Sequence, residues 1–231
     1  MTTIYQDGTY RNHNPSWHAQ DSPWKARQIL RIVKTNDLDP STVCEIGCGA
    51  GEILSQLAQQ WNDNTQFSGY EISPQAFELC QTKAKSNVNF FLRDLLEETE
   101  LFFDLILAID VIEHVEDYYA FLRKLRAKGQ YKIFHIPLDL SAQTVLRGSP
   151  LLRGRESVGH IHYFTRETAL ATLKDTGYEI VDWFYTSSRV VLSNLGFRAG
   201  IMRIPRKLLF LLNKDLASRI LGGFSLLVLA Q

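Results

Sequence analysis

The sequence predicts an α/β protein built on a doubly wound, largely parallel sheet. Three observations lead to this fold class. Strand-like and helical segments alternate along the chain, residues 102–109 are almost uninterruptedly apolar, and a glycine-rich turn joins the first strand to a helix. A continuous apolar run is typical of a parallel strand buried on both faces. The 231 residues suit one domain of this class.

The elements are taken in chain order. An aromatic arm and a helix occupy residues 1–36. The arm, together with Trp24, would lie over a ligand site, and a plain surface wrap is the equal alternative. A core follows at 37–186, then a basic and apolar helical insertion or cap at 187–221, and a final strand at 222–231, all within a single domain 1–231. The predicted strands are 42–46, 67–72, 88–93, 102–109, 131–136, 178–186 and 224–230.

The segments between the strands carry helix boundary signals. Ser73 and Pro74 form a helix start, because serine caps and proline suits the first helical position. Thr165 is expected to cap a further helix that Gly177 ends. Residues 138–164 are predicted to be a long connecting loop, and loops of this length are usually functional.

Composition narrows the class of function. The net charge is zero, which argues against a general nucleic-acid binder. Residues 1–115 hold 8 Lys+Arg against 16 Asp+Glu, and residues 116–231 hold 17 against 9. Such asymmetry suggests two ligand surfaces or a homodimer contact, although charges scattered over solvated faces explain it equally well.

Neither the cysteines nor the apolar segments indicate export. The three cysteines, Cys44, Cys48 and Cys80, form neither a zinc quartet nor a disulfide framework. The first residues are too polar for a signal peptide, and no apolar run reaches membrane-spanning length. The sequence therefore predicts a reduced, cytoplasmic protein without integral membrane association.

The glycine-rich turn indicates the class of ligand. Gly47, Gly49 and Gly51 alternate directly after the first strand. A dinucleotide site would need a third glycine at position 52, where Glu52 would repel a pyrophosphate. Glu45, just before the turn, is placed to pair with a cation. An NAD-type oxidoreductase on the same fold is therefore the weaker alternative.

The strand ends carry a cluster of polar side chains. In a doubly wound sheet, ligands bind outside the carboxyl ends of the strands. Several carboxylates on one edge are costly unless a cation or a polyol pairs with them. A cationic, ribose-bearing ligand is therefore expected. The residues predicted at these ends are Glu45, Gly47, Glu71, Asp94, Asp110 and His135.

Three motifs together resemble one family. The pattern E-x-G-x-G-x-G from Glu45, the segment 103–115 and the segment 159–165 are similar to those of class I S-adenosylmethionine-dependent methyltransferases of the small-molecule, ubiquinone-biosynthesis type. The resemblance implies a Rossmann-like, seven-stranded, mostly parallel sheet with an antiparallel last strand. It also implies that the chain is an enzyme with S-adenosyl-L-methionine as cofactor and S-adenosyl-L-homocysteine as product.

The resemblance assigns roles to residues. Glu45 and Gly47 would face the methionine part, Glu71 the ribose and Asp94 with Leu95 the adenine, while 110–114 would face the transferred methyl. The candidate cofactor-binding residues are Glu45, Gly47, Cys48, Gly49, Glu71, Ile72, Asp94, Leu95, Asp110 and Trp24.

Transfer to a hydroxyl oxygen of a small molecule is the expected reaction, and it requires removal of the hydroxyl proton. A positioned base contributes about 10²–10⁴-fold. His114 is the first candidate base, followed by His135 and His160. A metal held by His160 and His162 would need a third ligand, and no metal site is predicted. A non-catalytic S-adenosylmethionine-binding scaffold is a further alternative.

Two basic segments each allow more than one interpretation. Arg147, Arg153 and Arg155 suit an anionic acceptor, such as a nucleotide-linked sugar or a carboxylate, and solvated surface arginines are the equal alternative. In residues 187–221, Pro205 is expected to start a short helix with an apolar stripe. That helix would cap the acceptor pocket, form a dimer face or lie on an anionic membrane, in this order of preference.

Overall fold

The computed structural model describes residues 9–17, 19–61, 64–187 and 197–231. Its seven strands form one sheet in the order β3-β2-β1-β4-β5-β7-β6. β7 runs antiparallel to both neighbours, β5 and β6, whereas the other strand pairs are parallel. The predicted fold class is confirmed. The strands are β1 Thr42–Ile46, β2 Gln66–Glu71, β3 Val88–Leu92, β4 Phe103–Ile109, β5 Gly129–Pro137, β6 Ile180–Thr186 and β7 Ser225–Ala230.

Helices cover both faces of the sheet. Within the described ranges, short 3-10 helices lie at Ala19–Asp21, Gln81–Lys83, Leu95–Glu97 and Ile112–His114. None of the helices in the described residues is long and apolar enough to cross a membrane. The α-helices are α1 Thr9–His13, α2 Ser22–Thr35, α3 Glu52–Ala58, α4 Pro74–Cys80, α5 Tyr118–Arg126, α6 Ala142–Arg147, α7 Ser149–Val158, α8 Arg166–Asp175, α9 Phe197–Leu212 and α10 Lys214–Leu221.

The core consists of two apolar layers, one on each face of the sheet. Along β4, Ile106 belongs to one layer, whereas its neighbours Leu105 and Leu107 belong to the other. All three side chains are fully buried. This burial on both faces explains why the strand reads as a continuous apolar run, since neither face of a covered parallel strand meets water.

Strand register brings the candidate site residues together. Ile46 at the end of β1 pairs with Tyr70 of β2 and Ala108 of β4, and Ile109 pairs with His135 of β5. The carboxyl ends of four strands therefore meet along one edge. The residues that follow these strands project from the same edge, where ligands of doubly wound sheets bind.

The connection at 138–164 is not the loop that the sequence predicts, because it contains α6 and α7. Ser141 and Thr144 form a reciprocal capping box at the start of α6. Gly148 (φ 63°) separates the two helices and Gly159 (φ 80°) ends α7. The glycines and Pro150 that indicate a loop thus stand mostly at helix boundaries.

The prediction for Pro205 is also wrong, because this residue lies inside α9 rather than at its start. Arg206 is buried and donates hydrogen bonds to the Leu221 carbonyl (3.3 Å) and to Gln143 (3.4 Å), so it ties α9 to α10 and α6. Apolar side chains of α9 point outward, with Leu211 and Leu212 73% and 83% exposed. Residues 188–196 lie outside the described part of the chain.

Gly69 of β2 offers a direct test of the packing under the glycine-rich turn. A Cβ added there would lie 2.5 Å from the Phe90 ring and 2.9 Å from Cys48 Sγ. We expect Gly69→Ala to lower the free energy of unfolding by about 1–3 kcal/mol, the usual cost of overpacking. Gly154 is the matched control, since its added Cβ would meet nothing within 4 Å.

Alanine is the better helix former, so Gly154→Ala in α7 should raise stability by roughly 0.5–1 kcal/mol. Urea unfolding of the two variants measures both effects. Equal stability of the two variants would show that the contacts beneath Gly69 are looser than the structure indicates.

Candidate active site

A cavity of about 960 Å³ opens at the carboxyl edge of the sheet. Its walls come from the ends of β1, β2, β4 and β5, from Tyr10 and Trp17 of the arm, and from α6 and α7. Small-molecule sites usually measure roughly 300–1,000 Å³, so this cavity lies at the upper end of the usual range.

The glycine-rich turn forms the floor of the cavity. Gly47 and Cys48 both donate backbone hydrogen bonds to the Tyr70 carbonyl, at 2.8 and 3.2 Å, which bends the chain away from β1. Gly47, Gly49 and Gly51 have φ values of 67°, 54° and 72°, a region that favours glycine. A Cβ on Gly47 would lie 3.3 Å from Val111, so the turn after β4 directly adjoins this floor.

Glu71 ties the glycine-rich turn to the end of β2. One carboxylate oxygen accepts from Gly49 N (2.8 Å), and the other accepts from Ile72 N (2.9 Å) and Ser73 N (2.8 Å). Burial raises the pKa of Glu71, and these three backbone hydrogen bonds oppose the shift. A carboxylate has about four acceptor sites, so capacity for a further donor from the cavity remains.

Glu45 is a buried carboxylate beneath the same floor. It is 2% exposed, and its Oε2 has no hydrogen-bond partner among the described residues. Burial raises the pKa of Glu45 well above its ordinary range, the Lys25 ammonium opposes the shift, and Glu71 adds to it. A cationic ligand in the cavity would relieve this cost of burying a charge.

Asp94 and Leu95 line the cavity beyond β3. The Asp94 carboxylate accepts from Leu96 N (2.9 Å) and so caps the 3-10 helix at Leu95–Glu97. This bond holds the turn against the cavity wall, where Ile72 also lies. The adenine-binding role of the pair stays a prediction.

A charged network lies behind the turn after β4. Asp110 accepts from Lys25 Nζ (2.7 Å) and lies 2.5 Å from His135 Nδ1, and His135 Nε2 lies 2.8 Å from the Thr186 hydroxyl. Burial alone would raise the pKa of Asp110, but the His135 and Lys25 charges hold it well below its ordinary range. Both ring nitrogens of His135 have partners within this network. This geometry gives His135 a structural role and does not support the predicted role as a base.

Trp24 lies on the inner side of this network rather than at the cavity surface. It is 5% exposed and packs edge-on against His135, with ring centroids 6.2 Å apart. Its neighbour Lys25 lines the cavity instead. The geometry thus gives Trp24 a packing role and does not support the predicted contact with a cofactor.

His114 and His160 meet in the cavity wall beside the turn after β4, together with Glu113, which the sequence motifs did not single out. Glu113 is fully buried, and its Oε1 lies 3.8 Å from His114 Nε2 and 4.0 Å from His160 Nε2. Burial and the Asp110 and Asp139 carboxylates raise the pKa of Glu113 well above its ordinary range. Burial and the neighbouring His160 lower the pKa of His114 to about 4.

Backbone pairing explains why these three residues meet. The Glu113 carbonyl accepts from Ile161 N (2.9 Å) and His162 N (3.1 Å), so the turn after β4 is joined to the segment before α8. The two motifs that are far apart in sequence thereby form one wall. In the sequence, Glu113 stands out because it is a charged residue within the largely apolar segment 111–115. A charged side chain that is buried in such a segment needs a partner.

The remaining predicted residues and segments contribute to the cavity only in part. His162 turns away from His160, with its Nε2 3.2 Å from the Glu116 carbonyl and its ring 4.5 Å from that of Tyr118. Of the three arginines in 138–164, Arg153 lines the cavity, whereas Arg147 and Arg155 do not. None of the described side chains of 204–221 lines it either, so the geometry gives the cap role of α9 no support.

The arm is the part of the site that we expect to respond to ligand. Tyr10 and Trp17 pack against each other, with ring centroids 4.7 Å apart, and both line the cavity. Aromatic segments over a site commonly close on it. We expect hydrogen exchange in 10–25 to slow when S-adenosylhomocysteine is added, and exchange in α8 to stay unchanged. An arm that exchanges equally with and without it is a fixed structural wrap.

Comparison with known proteins identifies the family. A family model described as a methyltransferase domain matches residues 17–182. Norajmaline N-methyltransferase of Rauvolfia serpentina is 33% identical over 108 residues, 44% of this chain and 36% of that protein. Ubiquinone biosynthesis O-methyltransferase of Rickettsia felis is 32% identical over 111 residues, 45% and 44% of the two chains. The matched part is thus less than half the length of either relative.

Solved structures share the fold. A magnesium protoporphyrin IX methyltransferase from Synechocystis PCC 6803, solved with bound S-adenosylhomocysteine, has a TM-score of 0.61 at 19% identity and covers 90% of this chain and 82% of its own. The N-methyltransferase NodS from Bradyrhizobium japonicum, also bound to S-adenosylhomocysteine, has a TM-score of 0.59 at 19% identity, with 97% and 98% covered. The family model spans most of this chain, and the chain belongs to the S-adenosylmethionine-dependent methyltransferase family.

Proposed function

We propose that this chain transfers a methyl group from S-adenosylmethionine to a hydroxyl oxygen of a small aromatic acceptor. The residues present fit the cofactor. The turn at Gly47–Gly51 offers bare backbone, and the unpartnered Oε2 of Glu45 suits a cationic ligand. Glu71 has acceptor capacity for ribose hydroxyls, and Asp94 with Leu95 would hold the adenine. When bound, the cofactor supplies an electrophilic methyl on a sulfonium.

A single observation carries the choice of a hydroxyl acceptor, namely the cluster of Glu113, His114 and His160. His114 and His160 line a cavity that is also lined by the aromatic residues Trp17, Tyr163 and Phe224. An aromatic acceptor would find apolar surface on these rings while its hydroxyl lies at the cluster. Arg153 on the same cavity suits an acceptor that also carries a carboxylate.

The chemistry of the transfer is one displacement. The acceptor oxygen bonds to the methyl carbon as the carbon–sulfur bond breaks, the bonding pair stays on sulfur, and the hydroxyl proton leaves. The chain has three tasks: it holds the two ligands in line, it excludes water, and it assists the loss of the proton at the cluster. Alignment alone contributes roughly 7–11 kcal/mol, and assisted proton loss about 10²–10⁴-fold.

N-methylation is the second candidate, because several of the curated relatives are N-methyltransferases. Matched acceptors separate the two. Catechol, 2-aminophenol and 1,2-diaminobenzene have nearly the same shape and differ in the acceptor atom. With isotope-labelled S-adenosylmethionine, we expect label on oxygen in catechol and in 2-aminophenol, and little on the diamine. Label on nitrogen in both amines would replace O-methylation by N-methylation.

A variant links this activity to the cluster. Glu113→Gln should lower the rate of catechol methylation by about 10²–10⁴-fold while the affinity for S-adenosylhomocysteine stays the same. Glu156→Gln in α7 is the control at an exposed glutamate. Failure of the wild-type chain to methylate any hydroxyl or amine while it binds S-adenosylhomocysteine would favour a non-catalytic scaffold.

A further inference from the structure

We propose that Glu113, His114 and His160 form a binding site for a divalent transition-metal ion at the acceptor end of the cavity. The proposal builds on the proposed hydroxyl methylation and states how the cluster would act on the acceptor. A cation held there would bind the hydroxyl oxygen and favour the loss of its proton, which leaves to solvent at the mouth of the cavity. The sequence alone predicts no metal site, because it shows no third ligand for His160 and His162.

Three potential ligand atoms converge at the cluster. One carboxylate oxygen of Glu113 and one nitrogen each of His114 and His160 all lie within 4.8 Å of one another. Glu113 Oε1 is 3.8 Å from His114 Nε2 and 4.0 Å from His160 Nε2. Two ligands at about 2.1 Å from a tetrahedral zinc lie roughly 3.4 Å apart. The two edges from Glu113 would therefore close by about half an ångström, and the edge between the two imidazole nitrogens, at most 4.8 Å long, by up to about 1.4 Å.

A backbone carbonyl and a carboxylate orient the two imidazoles. His114 Nδ1 lies 3.0 Å from the Gly159 carbonyl, and His160 Nδ1 lies 2.6 Å from Asp139 Oδ2. A neutral imidazole donates from Nδ1 in such contacts and keeps its lone pair on Nε2, the atom that faces Glu113. Histidines that bind metals in proteins are held in this way, with the far nitrogen bonded to a carboxylate or a backbone carbonyl.

Glu113 lies in an environment that is unfavourable for an unpaired carboxylate. Its side chain is fully buried, and neither oxygen receives a hydrogen bond from another described residue. Asp110 and Asp139 add negative charge nearby. A carboxylate in such a place is costly to the fold unless a cation pairs with it or it binds a proton. Two imidazoles beside a carboxylate are the ligands of a metal site and meet the first of these conditions.

The ligand set indicates the class of metal. Imidazole suits Zn²⁺, Fe²⁺ and Ni²⁺, whereas Mg²⁺ and Ca²⁺ prefer sites built from oxygen. Two histidines and one glutamate are also the ligands of catalytic zinc sites that keep an open position. Because His114 and His160 line the cavity, the open position would face the acceptor. We therefore expect Zn²⁺ to bind more tightly than either Mn²⁺ or Mg²⁺.

Direct titration of the whole chain tests the site without reference to activity. The protein is stripped with a chelator and saturated with S-adenosylhomocysteine, so that Glu45 and Glu71 are covered. ZnCl₂, MnCl₂ and MgCl₂ are then titrated by calorimetry, and CoCl₂ by its visible absorption. We expect one Zn²⁺ per chain and a cobalt spectrum typical of mixed nitrogen and oxygen ligands.

Three variants show where the ion binds. Glu113→Gln should abolish saturable Zn²⁺ binding, and Asp139→Asn should weaken it about 10–100-fold, the usual effect of a group that orients a metal-bound histidine. His162→Asn should leave it unchanged, since this ring contacts Tyr118 and the Glu116 carbonyl instead. Thermal unfolding of each variant, with and without Zn²⁺, shows whether it is folded and adds a second readout, because an ion that binds only the folded state raises its stability.

The outcomes separate the metal site from the proposed function. No saturable binding by the wild-type chain, or equal binding by wild type and Glu113→Gln, overturns the metal site. In the first case, catechol methylation that persists in excess chelator leaves O-methylation intact and makes the cluster a metal-free proton acceptor. One bound Zn²⁺ that depends on Glu113, with no methylation of any hydroxyl, keeps the site and overturns the proposed function instead.

Discussion

Glu71→Ala should weaken the binding of S-adenosylhomocysteine by about 10- to 150-fold, or about 1.5–3 kcal/mol, the scale of hydrogen bonds to a charged group. Two effects act together. The variant removes the acceptor that we expect to receive the ribose hydroxyls. It also leaves the backbone N–H groups of Gly49, Ile72 and Ser73 without their carboxylate partner, so the glycine-rich turn loses its tie to β2.

Calorimetric titration at a temperature where the variant is folded measures the affinity. Glu78→Ala is the matched control, because Glu78 is exposed and its contact with Arg11 (3.5 Å) lies at the surface. Glu71→Gln separates the two effects, since the amide keeps one acceptor oxygen and loses the charge. Wild-type affinity in Glu71→Ala would remove Glu71 from the cofactor site.

Asp110→Asn should lower the free energy of unfolding by about 1–3 kcal/mol, between the value of an exposed pair and the cost of breaking a fully buried one, because the Asp110 side chain is 25% exposed. Asp110 holds Lys25, whose side chain is 14% exposed, and His135, which is 4% exposed. Without the carboxylate, the largely buried ammonium of Lys25 loses its ion-pair partner. Asparagine tolerates the left-handed backbone found here (φ 55°), so the change isolates the charge from backbone strain.

A double-mutant cycle with Lys25→Met checks the origin of this loss. Removing both charges should cost clearly less than the sum of the single variants, since neither charge is then left alone in the interior. Urea unfolding gives the four values that are needed. Additive single effects would show that Lys25 and Asp110 do not stabilise each other.

The same pair predicts how stability depends on pH. The folded chain holds the pKa of Asp110 well below its ordinary range, and an unfolded aspartate titrates near about 3.9. The contribution of Asp110 is therefore fully present above about pH 4 and is lost as the pH falls through the lower, folded value. We expect wild type and Asp110→Asn to differ most in stability above this range and to converge in stronger acid.

Local patterns were sufficient to predict the sheet. The apolar run of β4 and the glycines after β1 depend on neighbours in sequence and on burial from both faces, so seven strands and their order of appearance could be read directly. The helices α6 and α7 were missed because the residues at their boundaries, the caps Gly148 and Gly159 and Pro150 in the first turn of α7, are also typical of loops. Only the packing of the two helices over the cavity distinguishes the two interpretations.

For the site, too, the sequence could predict the position of some residues but not of others. Glu45, Glu71, Asp94 and the glycines follow strand ends, so topology alone brings them to one edge. Contacts between Glu113, His114 and His160 depend instead on a backbone pairing across more than 40 residues, between Glu113 and Ile161. Spacing in the sequence gives no sign of such a pairing. The engagement of both His135 nitrogens depends likewise on Asp110 and on Thr186 of β6.

A crystal structure of the full chain with S-adenosylhomocysteine tests the central claim most directly, because it locates the sulfur relative to the cluster of Glu113, His114 and His160. Our account predicts that the sulfur faces this cluster across the cavity, with space between them for one acceptor oxygen about 3–3.5 Å from the transferred carbon. A sulfur that points away from the cluster, or a ligand that lies outside the turn at Gly47–Gly51, would contradict it.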